Sequence, residues 1–326
     1  MDPSVAIADV YFPRCSAALE KHSINPLVTY NVFIRSKKPY IVCGLQQCAD
    51  LLEFLGAEVK LLYKDGDLVP AGTETIMLYS GKARQVFDAE TFICAIISAQ
   101  STAATAMSEI VEAANDKPVF YFGGRHRSPG ADLDWCKGAM AGRATAVATV
   151  PTAETLGTKA IGTMPHAFCL IAGSTLEASK MFHATHPDIP LVVLLDTFGT
   201  ELDDAEQLVE YWGEKLYGVR LDTHGGRTMQ GCCGDPGVTV EAVNLLREHL
   251  DLCGGLDVKI FASSGFTSEK VRKFEALTDA VDAYGVGISK GYVELNATAD
   301  IIMLNGKRNH KVGRYEDRFE GDNFVT

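Results

Sequence analysis

Five runs in this sequence carry, at or near their ends, residues able to do chemistry. Residues 162–167, Gly-Thr-Met-Pro-His-Ala, carry His166, while residues 191–196 end on Asp196 and residues 218–222 on Asp222. Residues 258–264 end on Ser264, followed by Gly265, and a later run closes on Gly285-Val286-Gly287. A histidine at such a strand end serves as a nucleophile or an acid/base group, or is only a partly buried ring bonded to backbone. Each aspartate either caps the helix after it, with Thr197 and Thr200 competing for that task, or takes a chemical role. That role is to hold a divalent metal or to steady a cation developing on a sugar. Arg220, two residues before Asp222, points to the same side of its strand, to pair with that aspartate or bind a phosphate or carboxylate. Gly285-Val286-Gly287 is either a turn or a place where backbone N–H groups approach a phosphate. There is no Walker loop and no Gly-x-Ser-x-Gly elbow.

For these side chains to meet, the runs carrying them must lie side by side, as parallel strands do when their carboxyl ends build an active site. From Pro118 the chain has that rhythm. Residues 119–122 read as a strand followed by Gly123-Gly124-Arg125-His126-Arg127. Residues 191–195 are apolar throughout, as a sheet buried on both faces requires. Helices are expected near 203–215, on Leu202, Ala205, Val209 and Trp212, and near 240–250, on Val240, Val243, Leu246 and Leu250. His166 is expected at the end of a strand of the same series. This alternation predicts an α/β fold, either a parallel barrel or a doubly wound sheet, over residues 113–289.

Residues 1–112 differ. Strands are expected over 31–34, 40–42, 59–63 and 75–79, separated by Asp65-Gly66-Asp67 and Pro70-Ala71-Gly72. A long helix follows from about 89 to 114, giving an α+β domain with a capping helix. Residues 300–304 and 306–314 read as a hairpin, so the segment 290–326 is expected to return to the first domain.

The bulk composition narrows the field. The chain has 326 residues, 47% hydrophobic and 22% charged, which is ordinary for a globular protein and excludes disorder. A net charge of −12 argues against nucleic acid as a partner, yet permits a local basic pocket for a small anion. The opening Met1-Asp2-Pro3-Ser4 lacks the basic and apolar start of a secretion signal, and no apolar run approaches a membrane span. The nine cysteines contain no Cys-x-x-Cys pair, so reduced thiols in a cytoplasmic protein are expected.

Taken in order, the motifs resemble the nicotinate phosphoribosyltransferase family, in its shorter archaeal-type form. Asp9-Val10-Tyr11-Phe12 is similar to its N-terminal Asp-x-Tyr motif, residues 66–81 to its strand pair, and Ser101-Thr102-Ala103-Ala104-Thr105 to its Ser-x-x-x-Thr helix. Phe122-Gly123-Gly124-Arg125 is similar to its Phe-Gly-x-Arg loop. Residues 162–167, Asp196-Thr197-Phe198 and residues 218–222 are similar to its Gly-Thr-x-x-His, Asp-Thr-Tyr/Phe and Gly-Val-Arg-x-Asp motifs, and Ser264-Gly265 with residues 284–287 completes the set. Two positions depart from the pattern: Thr145 stands where many relatives carry an acidic residue, and Phe266-Thr267 follows Ser264-Gly265 where one is common.

The resemblance implies an irregular, TIM-like α/β barrel beside an N-terminal α+β open sandwich that the C-terminal segment completes. It implies transfer of the phosphoribosyl group of phosphoribosyl pyrophosphate to nicotinate, with Mg²⁺ and with ATP as co-substrate. It also implies a homodimer with shared active sites, or a larger multiple. In that scheme Phe122 and the neighbouring subunit's Tyr11 sandwich the pyridine ring, and Arg125 reads its carboxylate. His166 takes a phosphate from ATP, while Asp196 and Asp222 orient it, bind Mg²⁺ or steady the ribose. Thr163, Arg220, Ser264 and Gly265 contact substrate, and the amides of Gly285, Val286 and Gly287 hold phosphate. Quinolinate phosphoribosyltransferase is the alternative enzyme, expected to need a denser basic cluster than Arg125, His126 and Arg127. A catalytically silent nucleotide-binding relative is the alternative outside enzymes. The stretch beginning His224-Gly225-Gly226-Arg227 is read either as a mobile phosphate-side segment or as a surface loop.

Overall fold

The computed structural model describes residues 8–314. The opening tetrapeptide and the end of the C-terminal segment, on which two of the expectations above fall, lie outside these residues. The chain divides into two compact units, one formed by the residues up to Thr105 together with those from Val293 onward, the other by Ala106–Tyr292.

In the first unit, strands β1 (Leu27–Ile34), β2 (Tyr40–Ile41), β3 (Glu58–Leu61), β4 (Leu68–Val69) and β5 (Thr75–Lys82) precede the helix Glu90–Ala113. β1 is buried along most of its length and pairs antiparallel with β5, which pairs with β3, while β2 and β4 form a small sheet of their own. The Asp65-Gly66-Asp67 turn lies between β3 and β4: Gly66 has φ +94°, and Asp65 Oδ1 accepts from Leu45 N at 2.8 Å, satisfying a free amide of the helix Leu45–Phe54. The hydroxyls of the Ser101–Thr105 motif act as backbone staples. Ser101 Oγ accepts from Cys43 N and donates to Cys43 O, Thr105 Oγ1 does the same for Ile41, and Thr102 Oγ1 accepts from Leu295 N.

The helical run Ala83–Ala113 is long and apolar enough to cross a membrane by length and composition, and half of its most apolar window is buried within the protein. The sequence expectation of no such run is therefore corrected. Ile93, Ile96 and Ile97 belong to the core of the first unit, which explains the apolar content of this stretch.

Glu90 opens that helix. Burial, with Asp300 and Asp9 adding, pushes its carboxyl from an ordinary 4.5 up to about 7. The folded chain therefore holds an extra proton between these values, and Glu90 costs stability as pH rises through that window. Glu90→Gln should raise the unfolding free energy at pH 8 by on the order of 1–3 kcal/mol, and by much less at pH 4. Thermal melts at the two pH values check this; an equal shift at both would contradict it.

The second unit carries β6 (Val119–Tyr121), β7 (Ala146–Val147), β8 (Leu191–Leu194), β9 (Leu216–Leu221), β10 (Lys259–Ala262) and β11 (Ala283–Val286), with helices between them. All are parallel, in the order β7-β6-β11-β10-β9-β8, and form a curled half-barrel sheet. β8 is wholly buried, as its uninterrupted apolar run requires. The core is Val193, Leu194, Val219, Ile260 and Tyr284 from the strands, with Leu208, Val243 and Leu246 from the helices. Finally β12 (Ala297–Leu304) pairs antiparallel with β1 in the first unit, and β13 (Lys307–Arg308) pairs with β12. Asn305 (φ +49°) and Gly306 (φ +75°) make the two-residue turn that an Asn-Gly pair favours.

Candidate active site

β8 and β9 run parallel with Leu194 beside Arg220, so Asp196 and Asp222, just beyond their carboxyl ends, become neighbours. Leu195 N continues the ladder onto Arg220 O at 3.1 Å, and Asp222 N donates to Asp196 Oδ1 at 3.3 Å. His166 Nε2 lies 3.0 Å from the other oxygen of Asp196. The aspartate side chain is only 3% exposed and the imidazole 43%, so a buried carboxylate supports a ring open to solvent. Arg220 donates through Nη1 to Thr163 Oγ1 and through Nη2 to Asp222 Oδ2, both at 2.8 Å. Ser263, missed in the sequence, donates to Asp222 Oδ1 at 2.8 Å. Thr163, Arg220, Asp222, Asp196 and His166 thus form one connected chain, and the Arg220 guanidinium stands 5.9 Å from the Phe122 ring centroid.

Several readings of these residues are decided by this geometry. Asp196 and Asp222 cap no helix: Glu201–Trp212 has no side-chain cap, and Val240–Leu252 is capped by Thr239. His166 bonds a carboxylate rather than backbone. No strand delivers it, which corrects the sequence expectation. Residues 159–165 are irregular, with Ile161 N on Val147 O at 3.0 Å, and His166 opens the helix His166–Ala172. Pro165 explains this: it lacks an N–H for a ladder and suits the residue preceding a helix. Gly285 and Val286 also differ from expectation, since they lie inside β11 and leave only Gly287 of the three beyond its end. Val286 O accepts from Phe122 N at 2.7 Å, and a Cβ on Gly285 would stand 2.6 Å from the Phe122 ring. The glycine therefore makes room for the aromatic side chain.

The ends of β10 and β11 hold two side chains in left-handed backbone, Ser264 at φ +82° and Ile288 at φ +45°. For a β-branched residue this is a genuine outlier, costing on the order of 1–3 kcal/mol, and such strain clusters at functional sites. Each carbonyl is gripped by a cation lying over an aromatic ring. Lys270 Nζ donates to Ser264 O and lies 4.2 Å from the Phe266 centroid, while Arg127 donates to Ile288 O and lies 3.4 Å from that of Trp135. Burial, with Lys290 and Lys273 adding, lowers the Lys270 ammonium to about 8. Lys270 was invisible in sequence because a lysine on an amphipathic helix reads as solvated. Gly265 (φ +66°) follows Ser264, and a Cβ there would stand 3.4 Å from Lys290 Nζ.

Arg125 lies on the short turn Gly123–His126 directly after Phe122. It is exposed and engages no partner among the described residues, so it is not joined to the Asp196 network. Tyr11, in the first unit, is 56% exposed and donates its hydroxyl to Asp9. Thr145 has a structural task, accepting from Val119 N at 3.0 Å. The segment beginning at His224 is tied down: Arg227 donates to Asp196 O and pairs with buried Glu201, and Gly237 N reaches Arg227 O at 2.7 Å.

Comparison with known proteins agrees with this architecture. Residues 9–101 match the model for the N-terminal domain of quinolinate phosphoribosyl transferase. The crystal structure of nicotinate-nucleotide pyrophosphorylase from Pyrococcus furiosus superposes with a TM-score of 0.84 at 31% identity, covering 95% of this chain and 78% of that one. The chain belongs to the nicotinate/quinolinate phosphoribosyltransferase family.

The family resemblance read from the motifs therefore holds at this level. A curated member, a nicotinate phosphoribosyltransferase of Mycobacterium tuberculosis, is 32% identical over 202 residues, or 61% of this chain. The chain spans only 41% of that relative's length. Human nicotinic acid phosphoribosyltransferase shares the family fold, with a TM-score of 0.74 at 15% identity.

Proposed function

We propose that this chain transfers the phosphoribosyl group of phosphoribosyl pyrophosphate to nicotinate, giving nicotinate mononucleotide and pyrophosphate. The observation that carries this reading is the pairing of Asp196 and Asp222 at adjacent strand ends, with Arg220 and Thr163 attached. Loss of pyrophosphate leaves positive charge at the ribose C1, and preorganised carboxylates lower that barrier. Arg220 orients Asp222, and Ser263 fixes its second oxygen. The nicotinate ring stacks on Phe122, in line with the room that Gly285 leaves for that side chain. Gly287, with the strained turns at Ser264 and Ile288, presents backbone amides to phosphate.

Asp196 and Asp222 also fit Mg²⁺. Each carboxylate oxygen receives one donor and keeps a free lone pair, and this ion takes one or two carboxylates plus substrate phosphates. When bound, it would neutralise the departing pyrophosphate. His166 is the proposed acceptor of a phosphate from ATP: with Nε2–H donating to Asp196, Nδ1 carries the lone pair. Exposed Tyr11 is available to close a partner subunit's ring pocket in a homodimer.

Nicotinate is favoured over quinolinate by the cations near Phe122. Arg220 is committed to Asp222 and Arg127 to Ile288 O, which leaves Arg125 for one carboxylate. Purified protein with phosphoribosyl pyrophosphate and Mg²⁺ should accept nicotinate, with and without ATP, and discriminate against quinolinate and nicotinamide. Preferential use of quinolinate would replace this reading by the alternative enzyme. Gly285→Ala should raise the KM for nicotinate by on the order of tenfold, because overpacking against the ring costs about 1–3 kcal/mol. An unchanged KM would show that the Phe122 ring does not hold the acceptor.

A further inference from the structure

We propose that Glu206, His249 and Cys253 form a transition-metal site, with Zn²⁺ as the matching ion, on the outer helices of the second unit. Glu206 lies on the helix Glu201–Trp212, His249 on the helix Val240–Leu252, and Cys253 is that helix's C-terminal cap. One donor atom from each residue lies within 4.8 Å of the other two. The imidazole Nε2 and the thiol Sγ stand 3.7 Å apart. Two such ligands on one tetrahedral zinc, at about 2.0 and 2.3 Å from it, are about 3.5 Å apart, so the pair needs almost no movement to close on an ion.

The backbone holds this arrangement. Positions four apart on a helix share one face, and Cys253 N bonds to His249 O at 3.0 Å, so the helical turn extends through the cysteine. Gly254, at φ +88°, then ends the helix, with Gly255 N on Leu250 O at 2.7 Å. Arg247 clamps the turn that follows, donating to Gly255 O and Val258 O at 2.6 Å each. The third ligand comes from the neighbouring helix, whose packing against Val240–Leu252 fixes the distance. A thiolate, an imidazole and a carboxylate suit Zn²⁺ or Co²⁺ and disfavour Mg²⁺, which prefers an all-oxygen shell. Three protein ligands leave one position for water. Binding would release the Cys253 thiol proton to solvent as the thiolate forms. This site shares no residue with the Asp196–Asp222 cluster.

Titration of the full chain with Co²⁺, in excess Mg²⁺ to occupy carboxylate sites, tests the proposal. One equivalent should bind and give a sulfur-to-cobalt charge-transfer band together with tetrahedral d–d bands. Cys253→Ser should abolish the charge-transfer band, and His249→Ala should weaken binding by on the order of 100-fold or more. The double variant Cys232→Ser/Cys233→Ser should leave both signals unchanged. Absence of a thiolate band in the wild type, or its survival in Cys253→Ser, would overturn the site and reduce the Cys253–His249 contact to a simple hydrogen bond. Should Cys253→Ser fail to fold, Glu206→Gln serves instead, with a predicted loss of affinity and altered d–d bands; identical titrations would again overturn it.

Discussion

Replacing Asp222 by Asn should lower kcat for phosphoribosyl transfer by about 10²–10³-fold, the range seen when one preorganised electrostatic group is removed. The change is nearly isosteric and keeps an oxygen able to accept from Ser263 Oγ, 2.8 Å away in the native chain. It removes the negative charge that pairs with Arg220 and that, on the proposed reaction, would face the developing cation. Arg220 retains Thr163 as a partner, so the local fold should survive and the melting temperature should move little. The loss should fall on kcat more than on KM, because the interaction strengthens only as charge develops at the ribose. Steady-state kinetics beside a thermal melt check this. A kcat within about threefold of wild type, under ~1 kcal/mol, would remove Asp222 from the chemistry.

His166→Ala should abolish the stimulation by ATP and the acid-labile phosphate on the protein, while a basal, ATP-independent transfer persists. A phosphate on this half-exposed imidazole would sit beside Asp196, whose second oxygen holds the Asp222 amide. Added negative charge at that point changes the affinity of the cluster for one ligand set relative to another, which is how phosphorylation can drive release. Labelling with γ-phosphate-tagged ATP, followed by acid treatment, reads the outcome. An unchanged ATP effect in the variant would reject His166 as the acceptor.

Much of this site was legible because its residues lie at the ends of apolar runs. A parallel strand buried on both faces admits little but Val, Leu and Ile, so the first polar residue after 191–195 marks the end of its strand, beside the end of β9. Arg220 near the end of β9 and Asp222 just beyond it, two residues apart, share a side, and they do pair at 2.8 Å. Other parts were hidden for physical reasons. His166 was expected where a strand hands over to a loop or helix, because apolar residues precede it; the helix is there, but the segment before Pro165 forms no strand. Ser263 gave no signal, since a serine before Ser264-Gly265 differs in nothing local from any loop serine. Arg127 braces the carbonyl of Ile288, far away in sequence, a relation no spacing rule encodes, while Lys270 reaches back only to Ser264, just before its own helix. Ser101, Thr102 and Thr105 stand in a motif yet staple backbone, because hydroxyls buried at helix packing distance must find partners.

One reaction decides whether the Asp196–Asp222 cluster is a phosphoribosyl-transfer centre. Wild-type protein and the Asp222→Asn variant should be incubated side by side with carboxyl-labelled nicotinate, phosphoribosyl pyrophosphate and Mg²⁺, following nucleotide and pyrophosphate together. The wild type should release labelled nicotinate mononucleotide and pyrophosphate in equal amounts, and the variant almost none of either. Folded wild-type protein that forms no labelled nucleotide, with ATP present or absent, would contradict that assignment.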